Sequence, residues 1–179
     1  MGSFPIMETK YTLVSKSPDE TLEIGRLLGM QTQPGDIILL TGQLGSGKTV
    51  LTQGIAIGLE VKERPRSATF ILISEYQGRL PFFHLDLYRI ERADEALNLG
   101  LGEYIDGEGV TVVEWADRAL TVFPTERLDI QMELVDEQTR SLVINPHGKR
   151  YKELVKSGLQ FYQTNNADIL HEVRRTRNP

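Results

Sequence analysis

Gly42-Gln43-Leu44-Gly45-Ser46-Gly47-Lys48-Thr49 is the stretch in which residue type and spacing together prescribe a chemistry. It fits Gly-x-x-x-x-Gly-Lys-[Ser/Thr] at every fixed position, the pattern of a loop that cradles phosphates. Its glycines let the backbone curl with no Cβ in the way, so successive N–H groups can point inward around a β-phosphate. A helix beginning near Lys48 adds its positive dipole end. Lys48 then reaches the β- and γ-phosphates, and the Thr49 hydroxyl serves as a ligand for Mg2+. Leu44, Gly45, Ser46, Gly47 and Val50 complete the segment whose backbone surrounds the nucleotide.

Such a loop needs carboxylates to hold magnesium and to order the attacking group. Two candidates end apolar runs: Asp86 after Phe82-Phe83-His84-Leu85, and Glu114 after Val110-Thr111-Val112-Val113. Ligands bind beyond strand ends in open α/β sheets, so either can be the acid beside the loop, and either can orient the attacking water. Each can equally cap a helix or pair with Arg89 or Arg118. The alternation of His84, Asp86 and Tyr88 sets these three on one strand face. There His84 reads as a hydrogen-bonded scaffold residue rather than a proton shuttle. Ser67-Ala68-Thr69-Phe70 occupies the place of a segment that senses the γ-phosphate, where Thr69 can offer magnesium a hydroxyl or a carbonyl. Trp115 is the single tryptophan, read equally as a core aromatic or as a contact to nucleotide or partner.

The surrounding pattern supplies elements to position these groups. Tyr11–Val14 reads as a short strand. Ser17-Pro18-Asp19-Glu20 starts a helix, with Ser17 as cap, Pro18 in the first position and Glu20 closing a capping box. Thr21, Ile24, Leu27 and Leu28 follow at helical spacing, and Gly35 marks the turn. Asp36–Thr41, with four consecutive apolar residues, is a strand buried on both faces, as in a parallel sheet. Leu51, Ile55 and Leu59 form the stripe of the helix after the loop. Phe70–Tyr76 and Pro81–Tyr88 suggest an antiparallel hairpin around Gln77-Gly78-Arg79. Ala93–Leu99 is a short helix, Val110–Trp115 a buried strand, and Arg127–Val135 with Thr139–Asn145 a closing antiparallel pair. Lys149–Leu159 is a last helix with Tyr151, Leu154, Val155 and Leu159 on one side. The expected organisation is a loose leader over residues 1–10 (with Met7 a candidate start), one α/β domain over 11–145, and a C-terminal helix and tail over 146–179. Residues 160–179 are polar, lack periodicity, and read as mobile.

Composition narrows the classes. With 179 residues, 40% hydrophobic and 25% charged, the chain has an ordinary globular balance and can bury a core. The absence of cysteine excludes disulfide scaffolds, thiol nucleophiles and cysteine-ligated metal centres. His84, His147 and His171 are too far apart for a local metal pair. A net charge of −5 argues against a broad nucleic-acid grip by this chain alone. No apolar run approaches the roughly 18 residues needed to cross a bilayer, and no secretory signal pattern opens the chain, so a cytoplasmic protein is expected.

Taken in order, four segments resemble the TsaE family, small bacterial P-loop ATPases of tRNA threonylcarbamoyladenosine biosynthesis. They are Gly42–Thr49, Ser67-Ala68-Thr69-Phe70, His84-Leu85-Asp86-Leu87-Tyr88-Arg89 and Glu114-Trp115. Asp94-Glu95-Ala96-Leu97 with Gly100 adds the acidic helix of that family, and the likeness spans about residues 11–145. The resemblance implies a three-layer P-loop NTPase domain with a mixed, centrally parallel sheet. It also implies ATP and Mg2+ as cofactors and slow hydrolysis by the chain alone. The partners implied are TsaB and TsaD, which transfer threonylcarbamoyl from an adenylate to the adenosine beside the anticodon; tRNA is met through that complex. Hydrolysis in this family resets the assembly and does not carry out the transfer. By position the resemblance makes Thr49 and Glu114 magnesium ligands, Asp86 a carboxylate for ATP turnover and a further metal-side candidate, Thr69 the switch threonine, and Trp115 the tryptophan beside the site. Two departures stand out: Ala68 replaces the family's proline, which frees φ in the switch loop, and the C-terminal stretch is longer and ends with Arg174, Arg175 and Arg177.

Two rivals use the same loop. A small-molecule or nucleotide kinase would need an acceptor pocket and a lid bearing several arginines, and no such cluster precedes the tail. A GTP switch would carry Asn-Lys-x-Asp, which is absent. No arginine finger is evident either, which fits a poor ATPase activated by a partner.

Overall fold

A computed structural model describes residues 8–66, 72–165 and 171–175. Its strands are β1 (Glu8–Ser15), β2 (Ile37–Thr41), β3 (Ile73–Gln77), β4 (Pro81–Asp86), β5 (Val110–Glu114), β6 (Arg127–Leu134), β7 (Arg140–His147) and β8 (His171–Arg175). The helices are α1 (Pro18–Met30), α2 (Lys48–Gly58), α3 (Ala93–Leu97), α4 (Gly102–Ile105) and α5 (Lys149–Asn165), with a 3-10 segment at Ala116–Val122. Among the described residues the strands form one sheet in the order β3-β4-β5-β2-β6-β7-β1-β8. β4, β5, β2 and β6 run parallel, and the flanking pairs are antiparallel. The mixed, centrally parallel sheet is therefore present.

Parallel neighbours must be joined by crossovers, and the helices of those crossovers cover the sheet. Alternate residues of β2 divide between two cores. Ile38 and Leu40 join Ile24, Leu28, Leu51, Ile55, Leu154 and Val155 beneath α1, α2 and α5. Ile37 and Leu39 join Leu85, Ala96, Val113 and Phe123 on the opposite face. That second layer stops at β2. On β6 and β7 only one face carries core residues (Leu128, Ile130 and Met132; Leu142 and Ile144), and the opposite faces are half-buried or exposed. The sheet is sandwiched at β4, β5 and β2 and covered on one side at β6 and β7.

Local signals act as expected at most element ends. Ser17 accepts from Glu20 N at the start of α1, a bond of the kind that contributes about 1 kcal/mol. The Glu20 carboxylate accepts from Lys16 N rather than from Ser17 N, so the capping box is displaced by one residue. Several boundaries differ from the sequence reading. β1 begins at Glu8, so residues 8–10 lie in the sheet and not in a leader. β4 stops at Asp86, and Tyr88 leaves the strand face. β5 stops at Glu114, because Trp115 turns left-handed with φ 58°. α5 extends to Asn165, and β8 pairs with β1, where a mobile tail was expected. The last two rest on backbone pairing and helix continuation, which need no apolar periodicity to announce them. α5 is anchored by Tyr151, whose hydroxyl accepts from Ile37 N, and by Arg150, which binds Asp36 and the Gln31 carbonyl. Burial pushes the Tyr151 phenol up to about 12.

Candidate functional site

The C-terminal ends of β2, β4 and β5 lie level with one another. Register pairs Leu40 with Glu114 and Glu114 with Asp86, so both sequence-nominated carboxylates stand in one row below the glycine-rich loop. The loop leaves β2 at Gly42, where a Cβ would fall 2.2 Å from the Met132 carbonyl; only glycine passes there. It enters α2 through Gly47 at φ 97°, a left-handed conformation that other residues rarely adopt. Ser46 is buried, whereas Leu44 is 76% exposed.

Lys48 is buried at the head of α2. Its Nζ donates to Gly42 O (2.7 Å), to Gln43 O (3.0 Å) and toward Ser46 Oγ (3.4 Å). It also lies 3.8 Å from the centre of the Trp115 ring, within cation–π range. Burial lowers the Lys48 pKa, and the charges of Glu114, Asp117 and Asp86 oppose that shift. Trp115 thus comes to the loop rather than to the middle of the core. Its left-handed backbone, a strained state for a bulky residue, swings the ring away from β5 and onto the ammonium. The Tyr88 ring packs against the Trp115 ring with centroids 4.9 Å apart, and the Arg118 guanidinium lies 6.0 Å from the Trp115 centre.

The structure distinguishes the two acids. Glu114 Oε2 accepts from the Thr49 hydroxyl at 2.9 Å, and Oε1 lies 2.9 Å from both Thr52 Oγ1 and His84 Nε2. Asp86 is equally buried, and its Oδ1 accepts from Tyr88 N at 3.1 Å. Thr49 and Glu114 offer hard oxygen donors side by side. No group of three or more acidic, His or Cys side chains among the described residues could enclose a metal ion. That combination suits a Mg2+ ion that keeps waters and phosphate oxygens and takes little from the protein. Thr69 falls outside the described residues.

Two concavities flank the loop. A cleft of about 650 Å³ is lined by Gln43, Trp115, Asp117, Gln131, Glu133 and Leu134, with Thr41, Gly42 and Met132 behind them. A small hollow of about 30 Å³ touches Val50 and Gly47 together with Pro18, Thr21, Gln138 and Arg140. Sequence reasoning missed Thr52, Asp117 and this hairpin end of β6 and β7. Thr52 follows Thr49 by one turn of α2, a spacing that could have nominated it; the other two meet the loop only through the fold.

Comparison with known proteins bears on this geometry. The family model for "Threonylcarbamoyl adenosine biosynthesis protein TsaE" matches residues 15–142. The Bacillus subtilis tRNA threonylcarbamoyladenosine biosynthesis protein TsaE is 42% identical over 139 residues, covering 77% of this chain and 87% of that protein. The protein of the same name from Nostoc is 40% identical over 152 residues, covering 82% and 91%. The crystal structure of Bacillus subtilis YdiB superposes with a TM-score of 0.75 at 34% identity, over 89% of this chain and 99% of that one. No helix among the described residues is long and apolar enough to cross a membrane.

Proposed function

The chain belongs to the TsaE family of tRNA threonylcarbamoyladenosine biosynthesis, whose members are P-loop ATP-binding proteins, and from that premise we propose that it is a Mg2+-dependent ATPase. It acts in the cytoplasm with TsaB and TsaD, reaches tRNA through them, and leaves the threonylcarbamoyl transfer to them. The observation that carries this reading is the 2.9 Å contact between Thr49 and Glu114 beneath a complete phosphate loop.

In this mechanism the amides of residues 44–50 and the α2 dipole hold the phosphates. Lys48 exchanges its carbonyl contacts at Gly42 and Gln43 for phosphate oxygens, where its charge offsets the negative charge that develops on hydrolysis. Thr49 and Glu114 hold the metal side, with Asp86 as the neighbouring carboxylate. Thr49 and Glu114 would hold Mg2+, which when bound would supply positive charge to the phosphates. Asp86 or Glu114 orients the attacking water, Thr69 senses the γ-phosphate, and Trp115 closes over Lys48.

ATP hydrolysis by the purified chain, alone and then with TsaB, TsaD and tRNA, tests the proposal. Low activity that the partners raise and Lys48→Ala abolishes is the expected result. Partners that neither bind nor change the rate would overturn it. The second reading, a small-molecule kinase, draws on the cleft beside Trp115, which is large enough for an acceptor. A phosphorylated acceptor that accelerates ATP loss would favour it.

A further inference from the structure

The Glu114 carboxylate is held unevenly. Its Oε1 meets two donors, Thr52 Oγ1 and His84 Nε2, each at 2.9 Å, and among the described residues its Oε2 meets the Thr49 hydroxyl alone. The side chains of His84 and Glu114 are 1% and 2% exposed. Among the described residues the one ion-pair type of contact made by Glu114 is with His84. A carboxylate this buried is costly unless hydrogen bonds replace its water. The carboxylate torsion of a glutamate is also broad and roughly two-fold, so nothing intrinsic decides which oxygen faces Thr49.

We propose that His84 and Thr52 are positioning residues that clamp Oε1, so that Oε2 alone is presented, beside the Thr49 hydroxyl, to the magnesium ion of the nucleotide complex. This rests on the reading of Thr49 and Glu114 as the metal side. The donors converge from separate elements: His84 from β4, Thr52 from the second turn of α2, and Thr49 from its first turn. A carboxylate has no hydrogen to give, so His84 Nε2 carries the one in this contact. The Thr52 hydroxyl has a single hydrogen and also lies 3.0 Å from Lys48 O, so its support is divided. His84 is therefore the stronger half of the clamp. Groups that orient a metal-side carboxylate act without touching the metal, and losing one weakens metal binding about 10- to 100-fold.

The test is calorimetric titration of Mg2+ into the full chain saturated with a non-hydrolysable ATP analogue, with thermal unfolding followed in parallel. His84→Leu is expected to weaken Mg2+ binding about 10- to 100-fold, and the nearly isosteric Thr52→Val to weaken it by less. Affinity for the analogue without Mg2+ stays at the parent value. His84→Gln, whose side-chain amide can donate from about the same place, recovers most of the loss. In turnover, kcat at saturating ATP falls more than KM changes. Parent Mg2+ affinity in a folded His84→Leu protein, or an equal loss in His84→Gln, overturns the clamp. If His84→Leu does not fold, Thr52→Val decides, and parent affinity there overturns it. Glu114→Ala separates the two readings: if it leaves the titration unmoved, the metal-side assignment itself has failed.

Discussion

Two histidine–carboxylate pairs lie on the same sheet, and they differ in what surrounds them. His84 and Glu114 sit in the sandwiched parallel half, at 1% and 2% exposure. His147 and Asp129 sit on the uncovered face of β6 and β7, at 31% and 27%. The contact distances are alike, 2.9 Å and 2.8 Å. Asp129, however, already has a permanent cation, because Arg127 Nε donates to its Oδ1 at 2.8 Å. Glu114 is satisfied by hydroxyls and an imidazole. Among the described residues no lysine or arginine is in ion-pair contact with it, Lys48 acts on it only at longer range, and it lies at the loop where a cation arriving with phosphates can use it. Proximity of a histidine to an acid says little; the presence of a resident cation and of water decides whether the acid is available.

The comparison can be broken most decisively at the acids. Glu114→Gln is expected to lower ATP turnover by about 100-fold or more, as when an oriented charge stabiliser is removed from an active site. Asp129→Asn is expected to leave turnover at the parent value. Steady-state ATPase rates on both variants check this, and equal losses would mean that burial is not what separates them. The histidines give a smaller contrast, read in stability. His84→Leu withdraws a donor from a buried oxygen and should cost about 1–3 kcal/mol in urea unfolding. His147→Leu removes one side of a half-exposed pair, and Arg127 remains; its cost should stay below about 1 kcal/mol. Salt gives the smallest and sharpest distinction. In about 1 M NaCl, where the screening length is near 3 Å, the His147→Leu difference should shrink toward zero. The His84→Leu difference should persist, and its disappearance would show that water reaches Glu114.

Much of this was legible before any coordinates. The glycine-rich loop, its strand and its helix are written in consecutive residues, and so are the hairpin from Ile73 to Asp86 and the stripe of Tyr151, Leu154, Val155 and Leu159. The choice between Asp86 and Glu114 as the partner of Thr49 was not legible in the residue pattern itself, and only the family resemblance pointed to Glu114. It depends on β5 lying between β4 and β2 in one particular register, a parallel pairing of distant segments that no local pattern encodes. Trp115 was nominated by its type, but the left-handed turn that takes the chain out of the sheet after Glu114 has no signal in its residue type. Thr52 was overlooked because threonine on a buried helix face reads as filler until a carboxylate is seen across from it. β8 was overlooked for the opposite reason: the strand is identified by backbone pairing, and its sequence shows no alternation.

That last strand has a practical consequence. β1 would otherwise form the margin of the sheet, eight residues of backbone with one row of N–H and C=O groups unpaired. Open margins of this kind recruit other chains and drive aggregation. β8 pairs with Glu8–Thr12 and becomes the margin itself, a five-residue strand carrying charged residues of the kind that blunt an edge. Truncation before His171 therefore threatens solubility first and nucleotide chemistry only second, and a purification tag is better fused away from this end.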